Sequence, residues 1–255
     1  MNKSLVFLYG IVCYVVFLFS FLYAIGFVGN MVVPKTIDSG QESSVLLALI
    51  INLVLLGLFA IQHTIMARPA FKRCWTKIIK PEIERSTFVL IASLLLILLY
   101  WLWRPMPAVI WSIENPVGKA ILTGLFWIGW IIVLSSTFMI NHFDLFGLRQ
   151  VYLHLHNKRY THVKFTKAGL YKYIRHPLML GFIVAFWATP YMTAGHLLFA
   201  LATTAYIIIG IQFEEHDLRN FLGQDYEDYR RHVPMLIPLY MKKPAETNNK
   251  QGTNE

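Results

Sequence analysis

The fold is decided by the stretch VLLALIINLVLLGLFAIQHTIM, residues 45–66, which contains no charged side chain. A helix needs about 20 mostly apolar residues to cross the hydrocarbon core of a bilayer, so this stretch predicts a transmembrane helix. Similar stretches lie on both sides of it, and together they predict six spans, at residues 5–33, 45–66, 86–103, 117–140, 178–193 and 196–213. The predicted fold class is all-α, a polytopic helical bundle in a membrane.

The composition of the whole chain supports this prediction. Of the 255 residues, 56% are hydrophobic and 15% are charged, whereas soluble proteins average about 25% charged residues. These values exclude an ordinary water-soluble enzyme. The fifth and sixth spans are short, and only turn-forming residues around Pro190 and Gly195 separate them, which predicts a tight helical hairpin.

The basic residues are distributed unevenly among the predicted loops. With six spans, 20 of the 23 Lys and Arg fall on one side, and only Lys35, Arg104 and Lys119 fall on the other. Basic loops stay in the cytoplasm, so we expect an integral membrane protein with both termini cytoplasmic. Orientation explains the net charge of +9, and the expected partner is the lipid bilayer, with no nucleic acid.

The histidines follow the same asymmetry. Eight of the nine lie at or beyond the cytoplasmic ends of the predicted spans, and only His196 lies at the other side. Any chemistry is therefore expected to face the cytoplasm. His154, His156 and His162 share one loop, but they lack the Cys or carboxylate companions of a recurring zinc pattern, so no metal site is predicted.

The first segment that indicates chemistry is GLYKYIRHPLMLG, residues 169–181. Pro177 stands where a helix begins, a position at which its missing N–H costs nothing. The N-terminus of that helix, with Arg175 and His176 beside it, is suited to bind an anion. Gly181, one turn into the helix, allows another group to approach closely.

The second segment is QFEEHDL, residues 212–218, which closes the sixth span. The paired carboxylates of Glu214 and Glu215 are costly near lipid, so a partner is expected. If the last two spans are antiparallel neighbours, Arg175 and His176 lie at the same level. Two interpretations follow: a salt-bridge cluster that only clamps the hairpin, or part of a ligand site.

The ligand interpretation asks which molecule uses an anion site, carboxylates and aromatic faces together. In it, Arg175 and His176 bind a carboxylate, Glu214 or Glu215 binds ribose hydroxyls or an ammonium group, and the Tyr residues stack on a base. S-adenosylmethionine has all these groups. It is the candidate cofactor.

At this point the chain resembles a known group of enzymes. The pattern Gly-x-Tyr-x-x-x-Arg-His-Pro at residues 169–177, then Glu-Glu-x-x-Leu from residue 214, Gly223 and the pair Tyr226 and Tyr229, is similar to the signature of the isoprenylcysteine carboxyl methyltransferase superfamily. The resemblance implies an integral-membrane methyltransferase that uses S-adenosylmethionine. It implies that the cofactor is held by the matching residues: Tyr171, Arg175, His176, Pro177, Gly181, Glu214, Glu215, Tyr226 and Tyr229.

Within that superfamily the chain most resembles the bacterial methanethiol S-methyltransferases, formerly grouped with NnrU-like membrane proteins. The stretches that carry this resemblance are FAIQH at residues 59–63, MARP at 66–69, ERST at 84–87, NHFDLFGLRQ at 141–150 and ATP at 188–190. The implied reaction converts methanethiol and S-adenosylmethionine to dimethyl sulfide and S-adenosylhomocysteine. The expected substrate partner is a small thiol, and the resemblance implies the inner membrane of a bacterium as the location.

The thiol must lose its proton, because a thiolate is far more reactive than a thiol. The candidate bases are His63, at the end of the second span, and His142, at the end of the fourth. Asp144 could orient His142 only if the helix has ended there, because positions i and i+2 do not face each other on a helix. Arg85 either supplies positive field to the thiolate or pairs with Glu82.

These interpretations divide the chain into three regions: a four-span membrane region (1–140), a region that forms the S-adenosylmethionine site (141–240) and a disordered tail (241–255). Other functions stay open. They are a related methyltransferase acting on a lipid or isoprenylcysteine-type acceptor, and a non-enzymatic NnrU-like membrane protein. A channel is disfavoured because Asn52 is the main polar residue within the spans.

Overall fold

The computed structural model describes residues 2–161 and 167–238, and the predicted disordered tail lies outside them. Five helices are long and apolar enough to cross a membrane, which confirms an all-α polytopic bundle. The elements in chain order are α1 (Lys3–Gly29), α2 (Val45–Ala67), α3 (Pro69–Trp75), α4 (Pro81–Leu102), β1 (Val109–Ser112), α5 (Pro116–Ile140), α6 (His142–Leu145), α7 (Leu148–Leu155), a 3-10 turn (Gly169–Lys172), α8 (Pro177–Trp187), β2 (Tyr191–Thr193), α9 (Ala194–Leu222) and α10 (Gln224–His232).

The helix starts follow local sequence signals. The side chain of Ser44 accepts a hydrogen bond from the backbone N–H of Leu47 at the start of α2. Asn115 does the same for Val117 and Gly118 at the start of α5, where Pro116 occupies the first helical position. Such caps satisfy N–H groups that have no partner within the helix.

The fifth predicted span differs from the prediction. Its helix, α8, has 11 residues and is about 16 Å long at 1.5 Å per residue, roughly half of a hydrocarbon core. The predicted tight turn is instead an extended segment, in which β2 pairs with β1 in an antiparallel two-stranded sheet. Backbone that is not helical needs hydrogen-bond partners outside its own segment, and β1 supplies them.

Together, α8 and the extended segment that follows it connect the two ends of the bundle. One end, which we call the basic end, joins Lys3 to Asn157, Arg68 to Asp217 and Met139 to Leu170. At the opposite end, both groups of the buried Asn52 amide bond to the backbone of Arg104. Asn52 is thus a structural residue rather than part of a pore.

Two glycines bring α5 and α8 into close contact. A Cβ on Gly181 would lie 2.7 Å from the carbonyl oxygen of Gly129, and a Cβ on Gly129 would lie 2.6 Å from the backbone nitrogen of Ala185. Small residues of this kind let helix backbones approach within a membrane. The group that approaches Gly181 is therefore a neighbouring helix.

Substitution of Gly181 tests this packing. We expect Gly181→Val to destabilise the protein by about 1–3 kcal/mol, because the side chain has to separate two backbones. Thermal unfolding in detergent measures the effect. Gly124→Val in α5 is the control, because a Cβ there meets nothing within 4 Å, and an equal loss in both variants would contradict the close-contact argument.

Candidate functional site

The two C-terminal sequence segments meet at the basic end. Nε and Nη2 of Arg175 lie 2.7 Å and 2.6 Å from Oε1 of Glu215. Nε2 of His176 lies 3.2 Å from the same oxygen, and its Nδ1 lies 3.6 Å from Oε2 of Glu214. We call these four residues the ionic cluster. The start of α8 and the last turns of α9 therefore lie at one level, as the hairpin argument expects.

The C-terminal segment closes over the ionic cluster. Nη1 of Arg175 donates to the carbonyl oxygens of Arg230 and Val233. The backbone N–H groups of Arg175 and His176 donate to the carbonyl oxygens of Pro234 and Met235. Most donors that the sequence assigns to an anion are thus engaged within the chain, so the anion site at the start of α8 is largely filled by the protein itself.

Glu214 differs from the other charged members of the cluster in its exposure. Its side chain is 47% exposed, whereas those of Arg175, His176 and Glu215 are 9%, 5% and 8% exposed. Glu214 is therefore the carboxylate that a ligand can reach, while Glu215 is closed off.

Tyr171 and Tyr226 lie near the exposed carboxylate of Glu214. Burial and the charge of Glu214 raise the pKa of Tyr171. Tyr229 donates a 2.6 Å hydrogen bond to the carbonyl oxygen of Tyr171, and burial raises the pKa of Tyr229 to about 12. Burial also raises the pKa of Tyr226. These phenols stay protonated near neutral pH. Tyr226 and Tyr229 are buried, so the half-buried ring of Tyr171 is the aromatic surface beside Glu214.

His63 lies among aromatic rings at the end of α2. Its ring centroid is 4.9 Å from that of Phe88, 5.3 Å from that of Phe59 and 6.5 Å from that of Tyr206. Its Nδ1 atom is buried, with no hydrogen-bond partner in the described part of the chain. Buried polar atoms without a partner are rare in native structures and call for an explanation, and a bound ligand would provide one.

Arg85 lies on the other side of this aromatic group. Its guanidinium carbon is 5.0 Å from the centroid of the Phe88 ring, and its Nε donates a 2.7 Å hydrogen bond to the carbonyl oxygen of Leu145. No ion pair joins it to Glu82 within residues 2–161 and 167–238, and Glu82 instead approaches His154. The Arg85–Glu82 pairing is thus wrong, because the arginine side chain turns inward from α4 towards the end of α5.

His142 is engaged at both ring nitrogens. The hydroxyl of Thr137 donates to the carbonyl oxygen of Leu134, so it accepts from Nδ1 of His142, 2.8 Å away. Nε2 then accepts from the hydroxyl of Tyr14, also at 2.8 Å. Phe138 stacks on the imidazole at 4.4 Å, and burial lowers the pKa of His142. This histidine is neutral and structurally fixed.

Asp144 does not orient His142, although α5 has ended before it. Its Oδ1 lies 2.9 Å from Nη1 of Arg149, and its Oδ2 accepts a hydrogen bond from Tyr160. Burial and Asp144 raise the pKa of Tyr160, while Arg149 and Arg85 oppose the shift. Asp144 and Arg85 therefore belong to one electrostatic neighbourhood at the basic end.

Three features of this region were absent from the sequence argument. Tyr14 is a polar residue within the first span, which was a usable signal. The aromatic rings of Phe88 and Tyr206 around His63 gave no signal, since aromatic residues in apolar helices are ordinary. Across the described ranges, no group of three or more His, Cys, Asp or Glu is placed to hold a metal ion, and His162 lies outside these ranges.

Comparison with known proteins shows which family the chain resembles. Residues 49–231 match the family model described as NnrU protein. This match covers both sequence segments of the ionic cluster and also His63, Arg85 and His142. No solved structure gives a significant match to the chain.

Several curated proteins are similar over almost the whole chain. A methanethiol S-methyltransferase of Mycobacterium tuberculosis is 58% identical over 238 residues, which are 93% of this chain and 98% of the relative. One of Crocosphaera subtropica is 52% identical over 243 residues, 95% of each chain. Methanethiol S-methyltransferase 2 of Bradyrhizobium diazoefficiens is 55% identical over 231 residues, 91% of this chain and 89% of the relative.

Proposed function

The chain belongs to the NnrU family, in the group that contains the bacterial methanethiol S-methyltransferases, and on this premise we propose that it methylates methanethiol to dimethyl sulfide with S-adenosylmethionine as the methyl donor. The observation that carries the proposal is the identity of 58% with a curated methanethiol S-methyltransferase over 93% of this chain.

The donor is inferred from the chemistry of the residues around Glu214. A half-exposed carboxylate beside the half-buried Tyr171 suits ribose hydroxyls or an ammonium group next to a stacked base. The residues present therefore fit S-adenosylmethionine. When bound, it supplies a sulfonium methyl group, which the acceptor sulfur takes in a single displacement.

The geometry supports a changed division of roles within the ionic cluster. Arg175 bonds to Glu215 and to the C-terminal segment, so this pair positions the site rather than contacting the ligand. Glu214 binds the cofactor, and His176, between the two carboxylates, fixes its orientation. The clamp and the ligand site are thus two parts of one structure.

The acceptor thiol is activated at His63. Its buried Nδ1 atom has no hydrogen-bond partner among the described residues and accepts the thiol proton, whereas both nitrogens of His142 are already bonded. Arg85, at the neighbouring Phe88 ring, supplies positive charge that stabilises the thiolate. The surrounding rings exclude water, which would solvate and weaken the nucleophile.

The location follows from the same proposal. The five long apolar helices place the enzyme in a membrane, and the methanethiol S-methyltransferases that it resembles are bacterial, so the membrane is the plasma membrane. The basic end carries the site, and Lys- and Arg-rich loops face the cytoplasm. Both termini and the cofactor entrance are then cytoplasmic, and the apolar thiol can arrive through the lipid.

Dimethyl sulfide measurement tests the proposal. Membranes containing the protein, given methanethiol and S-adenosylmethionine, are expected to release dimethyl sulfide into the headspace, detected by gas chromatography. With a donor whose transferable methyl group is deuterated, the dimethyl sulfide is expected to carry the deuterium label. Controls are membranes without the protein and reactions without the donor. Binding of S-adenosylmethionine without any dimethyl sulfide would contradict the assigned acceptor.

A further inference from the structure

The rings around His63 form a box at one end of a helix pair. Phe59 precedes His63 by one turn of α2, and Tyr206 of α9 contacts both, with ring centroids 6.2 Å from Phe59 and 6.5 Å from His63. Phe88 of α4 closes a further side at 4.9 Å. We call Phe59, Phe88 and Tyr206 the aromatic box.

A gap beside α9 lies next to the aromatic box. Gly210 is half-buried, and a Cβ placed on it would meet nothing within 4 Å. It follows Tyr206 by four residues and precedes Glu214 by four, so all three lie along one side of the helix, about 6 Å apart per step.

The gap faces α2 rather than an unrelated surface. Tyr206 contacts Phe59 of α2 at one level, and Asp217 pairs with Arg68 at the end of α2. Gly210 lies between these two contacts on the same helix face. The open space at Gly210 therefore lies between the levels of the aromatic box and of Glu214 along α9.

Resting on the proposed function, we infer that the aromatic box is the acceptor site and that Phe59 and Tyr206 restrict the acceptor to the smallest alkyl thiols. The sulfur has to reach Nδ1 of His63 between rings whose centroids lie within 6.5 Å of the imidazole. A methyl group on that sulfur fits within the gap at Gly210. A longer alkyl chain has to displace Phe59 or Tyr206.

The discrimination is expected to be large for a site of this kind. When a substrate has one methylene more than a hydrophobic pocket can accommodate, kcat/KM falls by about 10–200-fold. Truncation of a box residue is therefore expected to change the acceptor profile more than the rate with methanethiol. A ring that only packs the helices would lower all rates together.

The test measures methyl transfer to methanethiol, ethanethiol and 1-propanethiol with membranes containing the unmodified protein, Phe59→Ala or Tyr206→Leu. We expect the ratio of 1-propanethiol to methanethiol turnover to rise at least about 10-fold in the two variants. Retained methanethiol turnover with an unchanged ratio would overturn the inference. If Phe59→Ala is not recovered in membranes, Phe59→Leu and Tyr206→Leu are judged by the same ratio.

A second variant tests the gap independently. Gly210→Leu is expected to lower methanethiol turnover at least about 10-fold, while binding of labelled S-adenosylmethionine, measured by filtration, is retained. Gly124→Leu is the matched control, because a Cβ there also meets nothing within 4 Å. Equal turnover in both variants would overturn the gap argument. Failure of the proposed function is distinct, because the unmodified protein would then form no dimethyl sulfide.

Discussion

Glu214→Ala is expected to abolish binding of S-adenosylmethionine while the protein stays folded. The side chain of Glu214 is 47% exposed and approaches only His176 among the ion pairs of the described residues, so its removal leaves no buried charge without a partner. The ligand loses the only half-exposed carboxylate of the ionic cluster. Equilibrium binding of labelled S-adenosylmethionine, with thermal unfolding in detergent, measures both effects. Normal affinity would show that another group holds the cofactor.

Substitution of the adjacent carboxylate, Glu215, is expected to have the opposite effect, a loss of protein stability. Glu215→Gln leaves the guanidinium of Arg175, whose side chain is 9% exposed, buried without its counter-charge, and loss of one partner of a buried pair costs about 3–5 kcal/mol. The unfolding temperature should fall well below that of Glu214→Ala. Glu227→Gln in α10 is the control, since its ion pairs are long and more exposed. A Glu215→Gln protein as stable as this control would contradict the clamp.

The ionic cluster could be predicted from the sequence because electrostatic interactions determine which residues come together. Two carboxylates at the end of an apolar helix require partners, and Arg175 and His176 were the cations at the same level of a helical hairpin. The five long spans could be predicted equally well, since length and apolarity determine them. Both arguments use residue type and distance along the chain only.

The fifth crossing could not be predicted in the same way. Residues 178–193 are apolar enough for a helix, but α8 ends at Trp187. The carbonyl oxygen of Phe186 accepts from the buried His196 ring, and the following strand pairs with β1. β1 comes from a distant part of the chain, and composition does not report this pairing. For the same reason, the sequence left the pairing of Arg85 with Glu82 open, whereas its partner is the carbonyl oxygen of Leu145, 60 positions away.

The two candidate bases also looked alike in the sequence, since both end an apolar span. The structure separates them by hydrogen bonding: His142 is bonded at both nitrogens, and Nδ1 of His63 is buried with no partner in the described ranges. Only long-range contacts decide this difference. Tyr14, Phe88 and Tyr206 are 128, 25 and 143 positions from the histidines that they contact, by residue number.

His63→Gln is expected to lower kcat by about 10²–10⁴-fold, the usual contribution of a general base, with unchanged binding of S-adenosylmethionine. Glutamine keeps a polar group of similar size but accepts no proton at neutral pH. The thiol must then ionise without help, and its pKa lies near or above about 8.5.

The pH profile separates this role from a packing role. Below the thiol pKa, each unit of pH raises the thiolate fraction about tenfold, so the rate of His63→Gln should climb steeply between pH 7 and 9 and approach that of the unmodified protein. His142→Asn is the comparison: it loses bonds to Tyr14 and Thr137, and alkaline pH cannot restore a displaced helix end. Equal alkaline recovery in both variants, or none in His63→Gln, would remove His63 as the base.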